Sequence, residues 1–118
     1  MLGAISDVEA IYVATGYTDL RKGINGLAMM VEEQFQLNPF TPTLFLFCGR
    51  NCTKMKALLW EGDGFLLLYK RLENGKFRWP RTESEAKLIS PQQYRWLLEG
   101  LDIEPKRRIK PAEPGAIY

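Results

Sequence analysis

The chain contains no histidine. That absence removes the commonest general base, the commonest metal ligand and the side chain that titrates near neutral pH. A nucleophile activated by imidazole is therefore excluded. Cysteine is scarce as well: Cys48 and Cys52 are the two present, too few for a disulfide scaffold. Without histidine or further thiolates they complete a tetrahedral zinc site only if Asp or Glu joins them. The simplest reading is a pair of reduced cysteines at a strand end, with no metal and no cofactor expected. No apolar run approaches the length that spans a bilayer. The opening MLGAISDVEA is acidic and lacks the apolar stretch of a secretory signal, so the cytoplasm is the expected location. No internal repeat occurs, and no glycine-rich phosphate loop ending in Lys-Ser or Lys-Thr.

What is present suffices for one small core in 118 residues. Lys and Arg number 16 against 14 Asp and Glu, a formal charge of +2. A sum that small says little about partners; its distribution says more. Acidic residues gather in 7–33 and 83–104, while the centre and the tail carry the cationic excess. Residues 11–14 (IYVA) are β-rich and run into Gly16, the pattern of a strand entering a turn. TGYTDLRKG then leads toward a helix, with Thr18 or Asp19 available as its N-cap. Ile24, Leu27, Ala28, Val31 and Phe35 keep helical spacing, with Leu20 one turn earlier, and are expected to face the core. Gly23 and Gly26 would each cost about 1 kcal/mol inside a helix. Either they permit a close backbone approach, or the helix begins later than Asp19. NPFTP is a loop, because each proline biases its predecessor away from helix. TLFLF (43–47) is a strongly apolar strand expected at the centre of the sheet.

The stretch 44–80 reads as an antiparallel meander. Strands 54–61 and 65–72 flank Gly62-Asp63-Gly64, where either Gly62-Asp63 or Asp63-Gly64 forms a two-residue turn. Asn74-Gly75 marks a second hairpin that pairs Leu72 with Phe77 and Arg71 with Arg78. Alternation then gives one core face of Met55, Leu59, Leu66, Leu68, Leu72, Phe77 and Trp79. The other face carries Lys54, Lys56, Leu58, Trp60, Leu67, Tyr69, Arg71 and Arg78. With Asp63-Gly64 as the turn, Lys56, Arg71 and Arg78 form a row across three strands. Like charges directly opposite are unfavourable, so either an anion compensates the row or its side chains splay apart in solvent.

After Trp79-Pro80 a polar loop leads to a short strand at 87–89. Ser90-Pro91-Gln92-Gln93 then opens a helix, with Ser as cap, Pro first and Gln three residues on. Tyr94, Leu97, Leu98 and Leu101 form its buried stripe, and Gly100 ends it. The sum is a single α+β domain over residues 1–102, a small antiparallel β-sheet with one helix before the meander and one after it. Residues 103–118 hold three prolines, no periodicity and a basic cluster at 106–110. They read as an extended or disordered tail, which either contacts nucleic acid or keeps the chain soluble.

With the segments in place, the sequence resembles a known family. Ile11-Tyr12, then Thr18-Asp19-Leu20-Arg21-Lys22-Gly23 and Gly26-Leu27, is similar to the opening signature of the TnpB accessory protein of insertion-sequence-66 type bacterial transposons. Trp60-Glu61-Gly62-Asp63-Gly64, followed by the run from Lys70 to Pro80, resembles its central signature, the most specific of the three. Leu97-Leu98-Glu99-Gly100-Leu101-Asp102 resembles the closing segment, and the likeness covers roughly residues 9–102. It implies a protein encoded beside a separate, larger transposase and needed for efficient transposition, distinct from the RNA-guided nuclease that shares the TnpB label. One departure concerns the turn around Arg50: family members often carry a basic residue where Cys48 stands and again near Asn51-Cys52.

Three roles are open to such a chain. A catalytic strand-transfer site needs about three carboxylates converging on two cations. Asp19, Glu61, Asp63 and Glu73 have cap or turn roles available instead, so an enzyme is not expected. A nucleic-acid-binding accessory factor would set Lys54, Lys56, Lys70, Arg71, Lys76, Arg78 and Arg81 against phosphates. Arg21 and Lys22 would join them at the first helix's N-terminus, and Trp60 or Tyr69 would stack on single-stranded bases. Its partner would be DNA at the transposon ends. A protein–protein adaptor would instead dock on the element's transposase through Leu58, Trp60, Leu67 and Tyr69, rimmed by the same cations.

Overall fold

Strand β2 (Thr43–Cys48, TLFLFC) is buried at every position, so it must be covered on both faces. The computed structural model, which describes residues 8–103, provides that cover. The remaining elements are β1 (Ala10–Ala14), α1 (Ile24–Glu33), β3 (Lys54–Trp60), β4 (Phe65–Arg71), β5 (Ala86–Ile89) and α2 (Pro91–Leu98). They form one five-stranded sheet in the order β4-β3-β2-β1-β5, with two helices, an α+β architecture. Helix α1 packs Leu27, Met30 and Val31 against Ala14, Phe45, Phe47 and Leu58 on one face. The other face buries Val13, Leu44, Leu46, Cys48, Met55 and Leu59 beneath Leu97 of α2 and the side chains of Phe77 and Trp79. Both amphipathic stripes expected of the helices face the core, except that Leu101 is 48% exposed.

The sheet is mixed rather than purely antiparallel, because β1 runs parallel to β2, Ile11 beside Leu44 and Val13 beside Leu46. Parallel neighbours need a crossover, and α1 supplies it. That helix begins at Ile24 with Gly23 as an N-cap that offers no side-chain bond. Neither Thr18 nor Asp19 caps it, so the late start is the correct alternative. Helix α2 begins as its sequence dictates. Ser90 Oγ accepts from the Gln93 N–H at 3.0 Å, and the Gln93 side chain accepts from the Ser90 N–H at 2.8 Å.

The meander holds for β3 and β4 and fails beyond them. Of the two available turns, Gly62-Asp63 is the one used: Glu61 N–H donates to Gly64 O at 2.9 Å, and φ is +91° at Gly62 but not positive at Asp63. The register therefore sets Lys54 opposite Arg71 and Lys56 opposite Tyr69, not Lys56 opposite Arg71. Asn74-Gly75 builds no hairpin. After Leu72 N–H reaches Thr53 O (2.7 Å), the chain leaves the sheet plane, and Phe77 N–H next donates to Cys52 O (2.7 Å). Phe77 and Trp79 are thereby buried against the face opposite α1, and Trp79 Nε1 donates to Ala14 O at 2.9 Å. Burying two large rings, about 150–250 Å² each, outweighs adding one more edge strand. The core face read from the sequence is correct although its third strand does not exist.

Packed residues extend to Ile103, which is 3% exposed and whose carbonyl accepts from the Gln93 side chain. The rest of the expected tail, with the cluster at 106–110, lies outside the described residues. Among the described residues no helix is long and apolar enough to cross a membrane.

Candidate nucleic-acid interface

The pairing register brings three segments to one end of the sheet: the loop that follows β1, the turn from β2 into β3, and the exit from β4. They are tied together by backbone contacts. Thr18 N–H donates to Cys48 O at 2.8 Å, and Gly49 lies so close to the Leu20 side chain that an added Cβ would come within 3.3 Å of it. Lys56 completes the link, its Nζ donating to Leu20 O (2.6 Å) and Lys22 O (3.2 Å) while sitting 6.0 Å from the Tyr69 ring centroid.

The result is an open groove lined by Asp19, Leu20, Arg21, Lys54, Lys56 and Tyr69. A shallower depression lined by Tyr69, Arg71 and Glu73 adjoins it through the shared tyrosine. Tyr69 is 56% exposed and presents its ring between cations. Arg21 and Arg71 each hold a neighbouring carboxylate: Arg21 Nη2 to Asp19 Oδ2 and Arg71 Nη2 to Glu73 Oε1, both 2.8 Å. The Arg21 side-chain hydrogen bonds, aided by its backbone N–H, hold the Asp19 carboxyl at a pKa of about 2. Lys22, Arg50 and Lys54 make no ion pair among the described residues. The first turn of α1 holds no acidic residue and receives no side-chain cap, so amide N–H groups beside Lys22 stay available to an anion.

Five of the nine cations expected at a nucleic-acid surface thus converge here: Arg21, Lys22, Lys54, Lys56 and Arg71. The other four line neither depression, although Arg81 is at the same end of the sheet. Lys70, opposite Met55, points to the face away from α1. Lys76 and Arg78 ride on the segment that covers that face, with Arg78 Nη1 at 3.8 Å from Asp102 Oδ2. Arg81 lies over the Tyr17 ring, 5.6 Å from its centroid. The row Lys56–Arg71–Arg78 does not form: the register sets Tyr69 rather than Arg71 opposite Lys56, and Arg78 has no strand to sit on. Arg50, not among the nine cations expected at the surface, is exposed in the turn that leads into Lys54, and that adjacency is the signal the sequence holds.

The four residues expected to form an adaptor patch are separated. Leu58 is 1% exposed under α1, and Leu67 packs into the same cluster. Trp60 is at the far end of β3, edge-on to Phe40 (5.1 Å) and Phe65 (4.9 Å). Phe40, 52% exposed, joins it beside a groove lined by Val8, Pro42, Leu59 and Glu61. Cys48 and Cys52 are both buried as free thiols in the core. Burial, reinforced by Cys52, pushes the Cys48 thiol pKa up. Among the described residues no group of three His, Cys, Asp or Glu is placed to hold a metal ion.

The family model described as IS66 Orf2 like protein matches residues 9–108. Two proteins of Sinorhizobium fredii (strain NBRC 101917 / NGR234) are similar to this chain. Uncharacterized protein y4hO is 41% identical over 106 residues, covering 89% of this chain and 92% of its own. Uncharacterized protein y4jC is 36% identical over 92 residues, covering 78% and 79%. No solved structure matches.

Proposed function

The chain belongs to the IS66 Orf2-like family of transposition-associated accessory proteins, and on that premise we propose that it is a non-catalytic, cytoplasmic factor that binds nucleic acid at the cationic end of its sheet. The observation that carries this reading is the exposed Tyr69 ring lying in one groove with Arg21, Lys54 and Lys56, with Arg71 alongside. Cations set a phosphate backbone in place, and an aromatic face between them stacks on a base, worth about 1–3 kcal/mol per base. The pairing favours a strand with accessible bases, as at a frayed or cut transposon end, over a closed duplex.

The test is fluorescence anisotropy with transposon-end DNA in single-stranded and duplex forms across a salt series. Affinity is expected to fall with salt, and Lys54→Ala/Arg71→Ala to weaken both forms at least tenfold. Tyr69→Leu should weaken the single-stranded form selectively. Lys76→Ala/Arg78→Ala, on the opposite face, should change little. Equal losses in the two double variants would remove the groove as the contact surface.

A second reading, an adaptor docking on the element's transposase, is favoured by the Phe40–Trp60 pair beside its apolar groove. A pull-down of the transposase that survives nuclease treatment and is lost in Phe40→Ser would support it, and no capture by the wild type would end it.

A further inference from the structure

Strand β4 is the outermost strand on its side of the sheet, and one of its backbone edges has no partner among the described residues. The bonds Glu61 N–H to Gly64 O and Leu72 N–H to Thr53 O show that even-numbered residues of β4 bond to β3. Alternation then points the backbone groups of Phe65, Leu67, Tyr69 and Arg71 outward. Edge strands are ordinarily blunted by shortness, proline, bulges or charge. The other edge, β5, follows that rule, with four residues ending against Ser90-Pro91. β4 does not: its seven residues, FLLLYKR, contain neither proline nor glycine, and Phe65 to Leu68 are uncharged. Such an edge calls for another strand.

The sequence of β4 selects which strand fits. We propose that β4 pairs with β4 of a second copy, antiparallel about a twofold axis at Leu68. This register overlaps all seven residues and makes the outward-pointing positions hydrogen-bond in pairs, Phe65 with the second copy's Arg71 and Leu67 with its Tyr69. Leu66 meets Lys70, and Leu68 meets Leu68. No cation faces a cation, while each Arg71 guanidinium lies beside a phenylalanine ring, a favourable arrangement. A parallel pairing in register would instead stack Lys70 on Lys70 and Arg71 on Arg71. The twofold axis is perpendicular to the sheet, so both α1 helices lie on the same side of a continuous ten-stranded sheet. The backbone edge of β4 is used, while Lys54 and Lys56, on β3 behind it, take no part in the pairing.

Sedimentation velocity over a range of protein concentrations tests the proposal, with circular dichroism as the check on folding. The wild type is expected to sediment as a dimer. Tyr69→Pro, which removes an outward N–H but no bond to β3, is expected to sediment as a folded monomer. Register is read separately by thiol cross-linking with diamide. Leu68→Cys places two thiols on a non-hydrogen-bonded pair with Cα atoms about 4.5 Å apart, inside the range a disulfide bridges, and is expected to give a covalent dimer. Leu66→Cys, which faces Lys70, is expected to give none. A wild type that is monomeric at every concentration overturns the proposal, as does a Tyr69→Pro dimer. A covalent dimer forming equally well from Leu66→Cys overturns the register.

Discussion

Lys56 shows how one residue type does two kinds of work in the same groove. Its ammonium donates to the carbonyls of Leu20 and Lys22 and so fixes the loop that carries Arg21. Lys54, two residues earlier on the same face, makes no ion pair among the described residues. Lys56→Met keeps the aliphatic stem but removes the charged donor. We expect it to cost about 1.5 kcal/mol of stability, seen as a lower denaturation midpoint, and to weaken DNA binding as well. Lys54→Met should weaken binding with the midpoint unchanged, and equal midpoints for both variants would show that Lys56 braces nothing. The Asp19–Arg21 pair gives a pH prediction. Because the folded pKa of Asp19, about 2, lies below the ordinary aspartate value, the native state binds fewer protons there than the unfolded chain. The pair's contribution is therefore present above the ordinary value and lost as pH falls toward 2. A carbon-13 carboxyl titration should find Asp19 titrating near 2 in the wild type, and higher in Arg21→Gln. Cys48 and Cys52, buried with the Cys48 thiol pKa raised, should resist iodoacetamide in the folded protein and react after unfolding, as mass spectrometry will show.

At the scale of elements, the turn between β3 and β4 decides which side chains meet, and glycine substitution reads which turn is used. Gly62 has φ of +91° with open space around it, so a methyl group there meets backbone strain and no clash. Gly62→Ala should cost about 1 kcal/mol, while Gly64→Ala, whose φ is not positive, should cost little. The opposite order would restore the Asp63-Gly64 turn and the row across the strands. Ser90→Ala should cost about 1 kcal/mol through loss of the α2 cap. These cases show what the sequence made legible. Ser90-Pro91-Gln92-Gln93 and the apolar stripes are local patterns with local causes, and they placed both helices and the core face correctly. The choice between two adjacent turns is worth little locally, yet it shifts every partner in the ladder by two residues. Asn74-Gly75 is a strong hairpin signal that lost to a distant contact, the Trp79 indole donating to the Ala14 carbonyl across the sheet. The parallel pairing of β1 with β2 left no local mark. The groove inherits these limits: its residues are those expected on β3, β4 and the first loop, but their grouping follows from register.

For the whole molecule, a formal charge of +2 conceals a separation along the strands. Arg21, Lys22, Arg50, Lys54, Lys56 and Arg71 gather where β1 and β2 end and outnumber Asp19, Glu73, Glu83 and Glu85 there, whereas Glu61 and Asp63 occupy the turn at the opposite end. A field of that shape orients an approaching polyanion before contact, and its footprint can be counted. Each phosphate neutralised on duplex DNA contributes about −0.9 to the slope of log K against log salt. Lys22, Arg50 and Lys54, which have neither an ion pair nor a side-chain hydrogen bond among the described residues, whereas Lys56 is bound to two carbonyls, would give a slope of about −3 on that basis. Glu73→Gln releases Arg71 from its 2.8 Å partner and should steepen the slope by about 0.9 while tightening binding at low salt. Asp63→Asn raises the net charge by the same unit at the far end and should leave the slope where it was. If the two variants act alike, attraction depends on total charge and the groove has no privileged role. If only Glu73→Gln changes the slope, the phosphates lie along the end of the sheet where β4 leaves it, beside the exposed face of Tyr69.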